Sequence, residues 1–276
     1  VPHPRYPWSQ PALLGGLLLA VSAAAAPAAA QRSLAPLAPS GQSVTPVFEG
    51  WYRNADGTYS LSFGYFNRND TERVEIAVGD SNFVSPGEPN QGQPTHFAPR
   101  RNWGVFTVIV PANFDPKAKV TWTLISRGQK TAIPGSLNPD WQIDAIEGEA
   151  SANNTPPALR WSASTPEGRG PGGVKGGPID AKVGVPTALT IMATDDGATK
   201  TPVDLSWYKH QGPGTVTFST PTSRLTPTGG TGTTTATFSA PGTYIVRVRA
   251  GDSAASTAGH SQCCWTNAFV TVRVTP

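Results

Sequence analysis

The two cysteines of this chain are adjacent, Cys263-Cys264, and there are no others. Neighbouring residues in a strand point to opposite faces, and their Cα atoms lie about 3.8 Å apart, nearer than a bridge usually needs. A vicinal disulfide therefore demands a distorted turn. Outside the cytosol oxidation is favoured, so a strained Cys263–Cys264 ring is expected, with links to a second chain or a pair of reduced thiols as the alternatives. Such a ring would stiffen the loop before the last strand. Beside Trp265 it would form a flat apolar platform for a ligand such as a sugar ring. His260, with both cysteines and the distant His210, is the metal-binding alternative. Structural zinc sites prefer at least two residues between thiolates, which argues against it.

Three further sets of residues carry potential chemistry. Asp195 and Asp196 precede Gly197, and with Asp252 (and Asp204) they offer carboxylate oxygens for calcium at one end of a sandwich. The plainer reading is that Asp and Gly simply build turns. Trp51, Tyr52, Tyr65, Phe66, Trp103, Trp122 and Trp141 form a dense aromatic set. Because strand neighbours alternate, the pairs Trp51/Tyr52 and Tyr65/Phe66 should each place one ring outward, as a surface for polysaccharide or a protein partner. His96, Glu49, Asp140, Asp144 and Glu147 are available for acid–base work, but nothing in the sequence sets a nucleophile beside a base. No GxSxG elbow, HExxH helix or phosphate-cradling glycine loop occurs. The expectation is a non-enzymatic protein, with a hydrolase in the first module as a remote alternative. Asn69-Asp70-Thr71 and Asn153-Asn154-Thr155 match the N-glycosylation pattern.

The elements that must position these residues are strands. Charged residues are only 14% of the 276, while 29 glycines and 28 prolines punctuate the chain. That mixture favours short strands and many turns over long helices. Residues 233–252 read as strand, Pro241-Gly242 turn and strand. In the second strand Tyr244, Val246 and Val248 share one face, expected to be buried, and Ile245, Arg247 and Arg249 the other, expected to be wet. The formal charge of +3 comes without a dense basic block, which excludes an obvious nucleic-acid surface.

Residues 1–30 read as a signal peptide: Arg5 in the polar start, a short apolar run at 12–21, and Ala28-Ala29-Ala30 before the cleavage point. An uncleaved anchor is the alternative. No other segment is apolar enough to span a bilayer, so the expected product is secreted, periplasmic or at the cell surface. Residues 31–46 are a flexible tether. Residues 47–146 form an aromatic-rich β-sandwich, with strands at 47–53, 59–67, 73–78, 103–110, 120–127 and 129–133. Residues 103–110 are apolar on both faces and so should be a central strand. The polar stretch 79–99 should be a loop or an edge excursion. A hinge at 147–157 leads to a second sandwich at 158–276, with strands at 158–162, 179–183, 187–194, 203–209, 215–219, 233–239, 243–250 and 268–274. Trp207 and Tyr244 are its expected core anchors.

In residues 193–197 (ATDDG), 205–207, 212–219 (GPGTVTFS) and 235–252 the second module resembles the immunoglobulin-like, polycystic-kidney-disease-type (PKD-type) modules of exported bacterial proteins. The tryptophan-aspartate-phenylalanine-glycine-aspartate-glycine motif of that family does not occur here. In residues 48–67, 93–97 and 103–111 the first module resembles a module of exported bacterial proteins without an assigned activity. The resemblance implies an immunoglobulin-like fold and a spacer, adhesive or glycan-contact role outside the cell. The whole sequence thus predicts an all-β protein of two antiparallel sandwiches, acting through sheet edges and loop ends on a protein partner or a second copy of itself, with no metal beyond the possible calcium.

Overall fold

Alternating side chains produce two stacked-sheet cores. The structure, a computed structural model, describes residues 38–143, 154–252 and 264–276. Eight strands build the first half: β1 (Val44–Arg53), β2 (Tyr59–Asn67), β3 (Val74–Glu75), β4 (Asn82–Ser85), β5 (His96–Phe97), β6 (Arg100–Val110), β7 (Val120–Ser126) and β8 (Gln129–Gly135). One sheet has the order β1-β2-β6 and faces another of order β4-β7-β8, while β3 and β5 pair beside them. Leu61, Phe63 and Tyr65 of β2 point inward, as their spacing requires. They meet an aromatic cluster in which Phe63 stacks on Phe106 at 5.4 Å and Trp122 stands edge-on to Phe106 at 4.9 Å. Arg127 and Gly128, both at positive φ, turn β7 into β8.

The stretch 79–99 takes the second of its two readings, an edge excursion: it contains β4, which ends its sheet, and β5, and Val84 and Phe97 lie in the core. Asn82, fully buried, holds it there. Its amide donates to the carbonyls of Ile76 (3.0 Å) and Pro94 (2.8 Å), and its Oδ1 accepts from the Trp122 indole at 3.0 Å. Residue range 103–110, by contrast, is not the central strand expected. It belongs to β6, which ends its sheet and has β2 as its one sheet neighbour. The second half covers part of its outer side, with Gly172 against Thr107 and Trp265 against Gly104, while Ile109 stays exposed. Strand β1 begins at Val44, inside the range read as tether, and the carbonyls of Ala38 and Pro39 accept hydrogen bonds from Asp70, Thr71 and Glu72.

The second half comprises β9 (Ala158–Arg160), β10 (Val174–Lys182), β11 (Thr187–Thr194), β12 (Asp204–Gln211), β13 (Val216–Phe218), β14 (Thr222–Arg224), β15 (Gly229–Phe238), β16 (Gly242–Gly251) and β17 (Trp265–Thr275). Its sheets run β10-β17-β16-β12-β14 and β13-β15-β11-β9. Every pairing is antiparallel except β10 with β17. This is an immunoglobulin-like sandwich, and it carries two hallmarks of that architecture. Trp207 is buried on the third-strand equivalent, β12. Tyr244, near the start of β16, is a tyrosine corner: its hydroxyl donates to the Ala240 carbonyl at 2.9 Å and accepts from the Gly214 amide at 3.0 Å. Strand β10 begins at Val174, five residues before the strand expected at 179–183.

Leu37–Pro276 form one compact unit. Among the described residues no helix is long and apolar enough to cross a membrane.

Candidate functional site: a cleft beside an open sheet edge

The two halves meet across a polar seam, and the seam explains several residue choices. The outer face of β2 carries Ser60, Ser62 and Gly64, small residues that admit a close neighbour. Ser60 and Ser62 are buried although they point away from their own core. A bulge between Phe48 and Gly50 leaves Glu49 as an extra residue in β1. Its carboxylate packs where a Cβ on Gly64 would come within 2.0 Å, pairs with Arg101 at 2.7 Å and accepts from the Gly104 amide at 3.0 Å.

From the other half, Asn267 donates to the Gly104 carbonyl at 2.6 Å and to Pro171 at 2.9 Å, and its Oδ1 accepts from Arg247 at 3.3 Å. The Trp265 ring lies so close to Gly104, itself at φ 46°, that an added Cβ would sit 2.7 Å from it. A backbone bond from Thr95 to the His210 carbonyl (2.9 Å) stitches the halves directly. Lys209 reaches Glu75 at 3.0 Å, and Glu75 also holds His96 at 2.5 Å. His96 thus meets one carboxylate and a lysine within the seam.

The outer face of β16 is therefore largely covered, with Ile245 and Arg249 part-buried and Arg247 buried. Arg247 is 3% exposed, its guanidinium 4.5 Å above the Tyr208 ring, and burial holds its pKa below the usual arginine range. His210, left extra by a bulge in β12, is buried and donates Nε2–H to the Gly92 carbonyl at 2.7 Å. Burial first, and the Arg247 charge second, push its pKa down to about 3, so it stays neutral.

Along the seam opens a cleft of about 600 Å³, lined among others by Asn54, Thr107, Ile109, Lys175, Gln211 and Phe269. Phe106 and Val108 also line it, although their side chains are buried in the first core. Strand β6 ends its sheet on this side. Ile109 is 63% exposed there, the highest value among the large apolar residues that stand exposed. The stretch Val105–Val110 (VFTVIV) holds no proline and no charge. By contrast the edge strand β8 carries Lys130 and Pro134, residues that discourage strand pairing.

Of the residues singled out in the sequence, Tyr52 and His210 line this cleft, and the others do not gather here. Tyr65 is buried, its hydroxyl accepting from the Ala98 amide at 2.9 Å, and Trp265 is buried in the seam. Neither can serve as an outward platform. Trp51, Tyr52 and Phe66 are part-buried. Trp51 donates to Asn138 at 2.7 Å and stands edge-on to Tyr59, and the Tyr52 hydroxyl accepts from Gly172. Trp141, 50% exposed, is the ring that does face solvent. Cys264 is buried, with Sγ 3.6 Å from the Asn154 carbonyl oxygen; Cys263, His260, Asp144, Glu147 and the signal segment lie outside the described residues. Asn69 is fully buried and bonded to Gln42, so the first glycosylation sequon has no accessible acceptor.

Among the described residues no three His, Cys, Asp or Glu side chains converge in metal-holding geometry. Asp196 is occupied by Thr155 and the Ala198 amide, and Asp195 caps Gly197. Asp252 is fully buried; burial, with Asp195 and Asp196 nearby, pushes its pKa up to about 6. Sequence reasoning missed the edge position of β6 and the seam. The one available signal was the run of small residues on the outer face of β2.

No family model matches the chain, and no curated protein matches it. Twenty-six chains of solved structures do match. The D00–D0 domain of intimin shares 13% identity over 84% of this chain and 100% of that chain, with a TM-score of 0.28. Domains 4 and 5 of the S-layer protein SbsC share 11% over 62% of this chain and 71% of that one, with a TM-score of 0.26. The seventh PapD-like domain of human CEP192 shares 10% over 44% and 87%, with a TM-score of 0.29. At such TM-scores none of these likenesses bears on the fold or the function of this chain, and both rest on its own geometry.

Proposed function

We propose that this is a non-enzymatic interaction protein that works at or outside the cell surface after export by residues 1–30, and that it associates with a second copy of itself. The observation that carries this reading is the β6 edge: a proline-free, uncharged strand end that presents Ile109 to an open cleft. Such an edge is a template for one more strand, with affinity from main-chain hydrogen bonds and selectivity from alternate side chains. The PKD-type second sandwich acts in this reading as the rigid partner that fixes the cleft. The seam, rather than a hinge, sets the geometry.

Sedimentation velocity over a range of concentrations tests it. The natural sequence is expected to associate reversibly, and Ile109→Lys to remain monomeric, because a lysine blocks an incoming strand. Val185→Lys, at an exposed apolar residue outside the cleft, should associate like the natural sequence. Strict monomers at every concentration, or association indifferent to Ile109→Lys, would overturn the reading.

A further inference from the structure

A strand added to β6 must itself have an open edge, and the other sheet edges among the described strands are guarded. Residues 142–143 cover β1: Gln142 bridges to Trp51, and the Ile143 amide donates to the Trp51 carbonyl at 2.7 Å. Strand β8 carries Lys130 and Pro134, and β10 carries Lys175, Pro178 and Lys182. In β4 the amides of Asn82 and Val84 donate to the carbonyls of Gly79 and Pro89. Strands β9, β13 and β14 have three residues each, and β3 and β5 two, too short to lend a ladder.

The usable part of β6 has sharp limits. Its pairing with β2 runs without interruption from Val110 to Phe106 and then shifts register between Phe63 and Tyr65 of β2. Gly104, just beyond, is already bonded to Glu49 and Asn267. At the other end Pro111 has no amide hydrogen to give. Among the described residues, the backbone of residues 106–110 bonds to no backbone other than that of β2. Within this run Phe106, Val108 and Val110 belong to the first core, while Thr107 and Ile109 line the cleft. Directly opposed residues of an antiparallel pair share a face. A second β6 must therefore set core residues opposite core residues, and a pairing centred on Val108 does so with the whole run.

Resting on the reading that β6 takes a strand from a second copy, we propose that this strand is β6 of that copy, antiparallel about a twofold axis at Val108. Phe106 then opposes the partner's Val110, and Thr107 opposes the partner's Ile109 beside the cleft. The two sheets join in the order β1-β2-β6-β6-β2-β1. The same patch is used on both copies, and each open edge is consumed by the other. Assembly therefore closes at two copies and does not propagate as a fibre. A run of this length, roughly 17 Å of strand, makes a small interface, which suits reversible association.

Native mass spectrometry and disulfide trapping test it together. Over a concentration series the natural sequence is expected to stop at the dimer. Thr107→Cys and Ile109→Cys, prepared separately, mixed and then oxidised, are expected to give a dimer linking position 107 to position 109. Opposed Cα atoms lie about 4.5–5.5 Å apart, inside the range a disulfide bridges. Either variant oxidised alone should give no such dimer, because like positions stand diagonally about 8 Å apart. Peptide masses identify the link, and the oxidised natural sequence controls for Cys263 and Cys264. Species larger than the dimer, a link between two copies of position 107, or dimers without the 107–109 link overturn this proposal and leave self-association standing. Strict monomers overturn both. Should a cysteine variant fail to associate, hydrogen exchange of the natural sequence decides. Amide protection that rises with concentration at residues 106–110 supports the pairing, and a rise elsewhere or nowhere overturns it.

Discussion

Gly104 shows how much one position can decide. Its positive φ, its amide bond to Glu49, its carbonyl bond to Asn267 and its contact with the Trp265 ring leave no room for a methyl group. Gly104→Ala is expected to destabilise the protein by roughly 1–3 kcal/mol, from overpacking and from strain at φ > 0. Trp265 fluorescence should shift toward the exposed-indole wavelength as the seam loosens, and denaturant unfolding measures the loss. A substitution that leaves both unchanged would mean that the seam tolerates far more slack than this geometry allows. The same residue marks where sequence reasoning stopped. Trp265 read as a surface ring because its neighbours were cysteines; only Gly104, 163 residues before Asn267 in the sequence, reveals it as an interior wedge. Trp207 and Tyr244 were legible as core anchors because their own strand's period places them inside.

At the level of elements, alternation was a reliable guide wherever one face alone was covered. In β2 and β16 it assigned the inward residues correctly. It was silent about what covers the other face, so Arg247 and Arg249 were expected in water and β6 in the middle of a sheet. The two bulges that aim Glu49 and His210 leave no mark in a period of two, since each inserts one residue that the pattern merely absorbs. The β4–β5 excursion could be read only as a loop or an edge excursion for a different reason: its anchor is polar. Asn82 satisfies two carbonyls and one indole at once. Asn82→Ala should strand the Trp122 N–H and both carbonyls in the core, at a cost of about 1–3 kcal/mol for a buried group left unpaired. Limited proteolysis should then cut within residues 79–99 before any other described loop. Cleavage elsewhere first would show that the excursion is held by its apolar residues alone.

At the scale of the whole molecule, the seam couples two cores that the sequence presents as separate modules. Thr95–His210, Lys209–Glu75 and Asn267–Gly104 cross it at distinct points. The pH dependence follows from His210. Its folded pKa, about 3, lies below the unfolded value near 6.5, so the folded state binds fewer protons. The stability it supports is complete above pH 6.5 and is lost as the pH falls toward 3. Asp252 works in the opposite sense. Its raised folded pKa means that its contribution is fully present below about 3.8 and fades as the pH rises through 6. His210→Phe, which keeps the ring contact with Phe269 at this position, should flatten the acid limb between pH 6.5 and 4 in a stability-against-pH profile. An unchanged slope in that variant would assign the acid sensitivity to other groups.

The parallel pairing of β10 with β17 has a mechanical side. These strands lie near the entrance and at the C-terminal end of the second sandwich, side by side and pointing the same way from Val174↔Ala268 to Lys182↔Thr275. Tension drawn between those two ends slides one strand along the other, so the ladder bonds share the load in shear and do not open one after another like a zip. A protein tethered at one end and gripped at the other would resist pulling at this junction.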